Sequence, residues 1–62
     1  MTNQEKAKMY DEIIRQTDAL QRKNSKLKSE YAGNIPENVQ REINENEYKI
    51  SVLVGKVENL FR

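Results

Sequence analysis

Tyr31-Ala32-Gly33-Asn34-Ile35-Pro36-Glu37 decides the fold, because it holds the chain's single proline and one of its two glycines. Gly33 can take positive φ at no steric cost, which suits a residue just past a helix end. Asn34 followed by Glu37 has capping-type spacing. Pro36 fits a first helical turn, where its missing N–H would have no helical partner. The stretch therefore reads as a stop followed by a start. It predicts a turn over 32–35 between helix one, about 3–31, and helix two, about 36–60.

Outward from this turn the sequence mirrors itself. Seven pairs share the number sum 70: Tyr31/Val39, Leu27/Ile43, Asn24/Asn46, Leu20/Ile50, Thr17/Leu53, Ile13/Val57 and Tyr10/Leu60. On each side the spacing alternates between three and four, the pattern of a coiled-coil seam. With Tyr10 at heptad position a, every pair sets an a residue against a d residue, as antiparallel packing requires. A one-residue slip breaks all seven layers together. Asn24 and Asn46 fall in the same layer. Two facing amides can satisfy each other, whereas an amide set against leucine leaves buried polar groups unpaired, at about 1–3 kcal/mol. This polar layer is expected to fix register at some expense of stability. Amides that reach out to water are the alternative. The fold class is an all-α antiparallel two-helix hairpin.

The flanking residues agree. Thr2-Asn3-Gln4-Glu5 matches a capping box, in which the Thr2 hydroxyl accepts from the Glu5 amide and the Glu5 carboxylate reaches back to the Thr2 amide. Asp11/Arg15, Asp18/Arg22, Glu37/Arg41 and Glu45/Lys49 are acid-before-base pairs at i,i+4, each worth only ~0.2–0.5 kcal/mol. Ile50–Val57 is rich in β-branched residues and contains Gly55, so alone it could pass for a strand. A lone strand would have no partner here, and the heptad runs through it without a skip. Gly55 costs roughly 1 kcal/mol relative to alanine inside a helix. Close approach of another backbone, or a simple weak spot, would account for it.

Sixty-two residues make one domain at most, and a chain this short buries little surface alone. Without cysteine there is no disulfide, and without cysteine or histidine a structural zinc site is disfavoured. Association is the remaining route to stability. Ile14, Val54 and Phe61 fall at e, Met9 at g, and Tyr48 and Val52 further round helix two. These apolar residues lie outside the seam. Ile14, Tyr48, Val52, Val54 and Phe61 are the expected interaction residues, and a homodimeric four-helix bundle is the expected assembly. Docking on a larger protein competes with it.

The chemistry of catalysis is not legible. There is no glycine-rich phosphate loop, and Ser25, Ser29 and Ser51 have no base that spacing brings near. Glu37, Glu42 and Glu45 share one side of helix two, yet paired carboxylates need a cleft to separate their pKa values. A non-enzyme without cofactor is expected. The longest aliphatic run is Val52-Leu53-Val54, so no membrane span is expected. Met1–Glu5 lacks the order of a signal peptide, which makes a cytoplasmic location the default. The net charge of +1 exerts no overall pull on nucleic acid. Lys8, Arg15 and Arg22 nonetheless recur every seven residues on the outer face of helix one, with Lys26 near that line. Such a stripe could follow a phosphate backbone. Asp11, Glu12 and Asp18 lie beside it, so a solvated face is the favoured reading.

Two resemblances follow from these residues. The opening Met1-Thr2-Asn3-Gln4-Glu5-Lys6, the length and the two-helix plan are similar to the plasmid copy-number RNA-binding family typified by Rop. That family dimerises into a four-helix bundle and binds paired RNA loops with Asn, Phe, Gln and Lys of its first helix. Here Tyr10, Ile14 and Asp18 stand in the corresponding stretch, so RNA binding is not implied. The longer phrase Met1 to Glu12 also resembles the start of uncharacterised short helical proteins of gut Bacteroidetes and their phages. That likeness leaves room for a phage or mobile-element regulator docking on a host protein through Tyr48, Val52 and Phe61.

Overall fold

A computed structural model covers residues 1–62. It is an all-helical hairpin: α1 spans Asn3–Glu30 and α2 spans Glu37–Leu60. The two pack side by side into a rod whose Cα extents are 47 × 15 × 13 Å.

Local chemistry sets each helix end. The Thr2 hydroxyl accepts from the Glu5 backbone N–H at 3.2 Å, as half of a capping box. The reciprocal half differs from expectation. The Glu5 carboxylate accepts from the Thr2 hydroxyl at 3.1 Å rather than from the Thr2 amide. One hydroxyl thus serves both partners. At the other end the Tyr31 N–H donates to the Leu27 carbonyl, and the Asn34 N–H donates to the Tyr31 carbonyl, each at 3.1 Å. The second bond closes a four-residue turn with Gly33 at its third position, where φ is +93°. That value is open to glycine and strained for other residues.

The start of α2 corrects the expected cap. Asn34 makes no capping bond, and Pro36 is itself the N-cap, with φ −61° and ψ 153° and no side-chain hydrogen bond. Its carbonyl takes the first helical bond, from the Gln40 N–H at 2.9 Å. Helix two therefore begins at Glu37, one residue later than expected. The proline ring pushes Ile35 toward extended backbone, which leaves Asn34 too far upstream to reach the helix.

The seam is the one the mirror pattern predicts. Ile13, Thr17, Asn24, Val39, Ile43, Asn46 and Leu53 are buried. Leu20, Leu27, Ile50, Val57 and Leu60 are half-buried. Tyr31 and Tyr10, at the two ends, are the exposed members. Thr17 fits among apolar neighbours because its hydroxyl is satisfied within its own helix, donating to the Ile13 carbonyl at 2.9 Å. No second backbone approaches Gly55 within the hairpin, where a Cβ would meet open space.

Candidate interaction surface

The third layer of the seam from the turn is polar and fully paired. Asn46 Nδ2 donates to Asn24 Oδ1 at 2.8 Å, and Asn24 Nδ2 donates to the Ile43 carbonyl at 3.1 Å. Both residues are about as buried as the core, at 4% and 5% exposure, and no buried side-chain polar atom lacks a partner. The amides face each other rather than water.

Charge seals only the part of the rod near the turn. Lys23 Nζ lies 3.0 Å from Glu42 Oε1 on one side of the seam. Lys28 Nζ lies 3.3 Å from Glu47 Oε1 on the other. The first pair joins two g positions and the second two e positions, as antiparallel helices require. Heptad reading of one helix at a time missed both. The signal was present as number sums of 65 and 75, which flank the seam's 70. Of the expected i,i+4 pairs, Glu37/Arg41 forms at 3.8 Å. Asp11/Arg15, Asp18/Arg22 and Glu45/Lys49 form none, and Lys26 pairs with Glu30 at 3.9 Å. These exposed side chains lose little by remaining in water.

The open end is different. At 100° per residue the seam has two sides. The e side carries Ala7, Ile14 and Gln21 on α1, facing Val54 and Phe61 on α2. The Tyr10 and Phe61 rings meet edge to face, with centroids 5.8 Å apart. The g side carries Met9 and Gln16, facing Lys49 and Lys56. Of the five expected interaction residues, Ile14, Val54 and Phe61 lie on the e side. Tyr48 and Val52 line a groove on the other, with Gln16, Leu20 and Leu53. All five are exposed, but they do not form one patch. The heptad positions, e for the first three and further round helix two for the other two, correspond to these two sides.

Lys8, Arg15 and Arg22 are exposed on the outer face of α1 and make no ion pair, whereas Lys26 is engaged by Glu30. The concavities are surface grooves along the rod, one of about 460 Å³ between Met1, Met9, Lys56 and Leu60. No three His, Cys, Asp or Glu side chains gather where a metal ion could be held. No helix is long and apolar enough to cross a membrane. Comparison with family models, curated proteins and solved structures finds no match for this chain.

Proposed function

We propose that this chain is a non-catalytic, cytoplasmic interaction module that associates with a second copy into a four-helix bundle. The observation that carries the reading is the imbalance of its apolar residues. Four are buried, only Ile43 fully, and nine large ones stay exposed, among them Ile14, Val52, Val54 and Phe61. One two-helix seam supplies too little burial for a chain of this size, and association completes the core. Size-exclusion chromatography with light scattering tests it. The expected result is a mass twice the 7.3 kDa of the chain. A folded, stable monomer at micromolar concentration would overturn the proposal.

One observation favours a second reading, a dimer that binds nucleic acid along helix one. Lys8, Arg15 and Arg22 share a face and are unengaged by acidic partners within ion-pair distance. Binding through them would weaken steeply with salt as counterions are released. A gel shift with structured RNA and duplex DNA at two salt concentrations decides, and absence of a salt-sensitive complex dismisses it.

A further inference from the structure

We propose that the second copy docks on the e side of the rod, in register along its whole length, with both turns at the same end. This rests on the self-association reading and adds the face and the orientation.

The face follows from charge. Near the open end the e positions are Ala7, Ile14, Gln21, Val54 and Phe61, none of them charged. On the g side Lys49 and Lys56 occupy the equivalent flank. Interface centres are depleted of charge, and burying two unpartnered ammonium groups per copy is costly. Phe61, at 61% exposure, sits edge-on to Tyr10 and offers an aromatic anchor already held in place.

The orientation follows from how the e side changes along the rod. Its open half is apolar, and its turn half carries the Lys28–Glu47 pair. A two-fold axis along the rod brings α1 of one copy beside α2 of the other, antiparallel and level for level. Ile14 then meets the partner's Val54 and the partner's Phe61, and Lys28 meets the partner's Glu47. Apolar faces apolar and base faces acid. With turns at opposite ends and full overlap, Ile14 and Val54 stay near the middle of the rod, but Ala7 and Phe61 would face the partner's Lys28–Glu47 pair, so apolar no longer faces apolar at the open end and base no longer faces acid near the turn. A staggered arrangement, in which only the open halves overlap, keeps the apolar match but covers too little. Of the 5031 Å² surface, one long side is about a quarter, so half of it is roughly 600 Å², against about 800 Å² per partner in a standard interface. The full side, on the order of 1,200 Å², clears that threshold.

The chain has no cysteine, so one can be placed cleanly. A spin label on Ala32→Cys, at the exposed tip of the turn, reports the tip-to-tip distance by dipolar spectroscopy. Sedimentation of the same sample reports mass. The expected distance is below about 30 Å, given helix axes 8–10 Å apart and the label arms. Ile14→Glu is expected to weaken dimerisation at least about tenfold and Val52→Glu less than about twofold. Both sites are exposed, and helicity confirms that the hairpin persists. Tips separated by the rod's 47 Å or more would overturn the orientation while leaving the dimer. Weakening by Val52→Glu in place of Ile14→Glu would overturn the face. A monomer at every concentration would overturn this inference and the self-association reading together.

Discussion

Replacing the two buried asparagines by leucine, singly and together, probes the seam where its chemistry is least ordinary. In the parent Asn46 donates to Asn24 at 2.8 Å, and Asn24 donates to the Ile43 carbonyl at 3.1 Å. Asn46→Leu leaves the Asn24 carbonyl oxygen buried without its donor. Asn24→Leu leaves the Asn46 amide without its acceptor. Each orphaned group costs about 1–3 kcal/mol, partly offset by the new apolar burial. The double variant has no orphan and two leucines, so it is expected to exceed the parent in stability. Both orphan costs are present in the single variants and absent from the double, so the coupling energy is at least about 2 kcal/mol. At ~4–8 °C per kcal/mol for a domain of this size, the double variant melts at least about 8 °C above the sum of the single effects. Circular dichroism melts at 222 nm provide the assay. Protein concentration must be fixed, because association itself raises the melting temperature. The double variant is also expected to lose definition of register and oligomer number, the role that core asparagines play in coiled coils. Effects that add to within ~0.5 kcal/mol would refute the coupled pair.

Other substitutions carry their own signs. Ile43 is the most buried apolar side chain, at 1% exposure, and Ile43→Ala is expected to cost ~2–5 kcal/mol and unfold much of the population, read by urea titration. The two glycines should respond oppositely. Gly33→Ala meets positive φ and loses ~1–2 kcal/mol, whereas Gly55→Ala enters open space in a helix and gains ~1 kcal/mol. Lys28→Glu is expected to lower stability by at most ~1 kcal/mol in low salt, with recovery on adding Glu47→Lys, and a melt series with salt checks it.

Much of the hairpin was readable from periodicity because each seam residue is fixed by its own helix and by its mirror mate. Asn24 and Asn46 were legible together for that reason: one buried amide is ambiguous, and two at one level are not. The turn was less legible. Asn34 and Glu37 have capping spacing, yet Pro36 imposes extended backbone just before it, and a local pattern does not weigh that constraint. The interhelical pairs Lys23/Glu42 and Lys28/Glu47 escaped because charge was read along each helix rather than across the fold. The division of Ile14, Val54 and Phe61 from Tyr48 and Val52 was already legible in their heptad positions, e for the first set and further round helix two for the second. What one helix at a time does not supply is the side of the rod to which each position turns once the hairpin closes.

Small-angle X-ray scattering of the unmodified chain tests the central claim most directly, because it gives mass and length in one experiment. A side-by-side dimer predicts forward scattering for twice 7.3 kDa, with a maximum dimension still close to one rod, the 47 Å Cα extent plus its side chains. Scattering from a single 7.3 kDa chain at every concentration, with the 14.5 Å Cα radius of gyration of the lone hairpin, would contradict it.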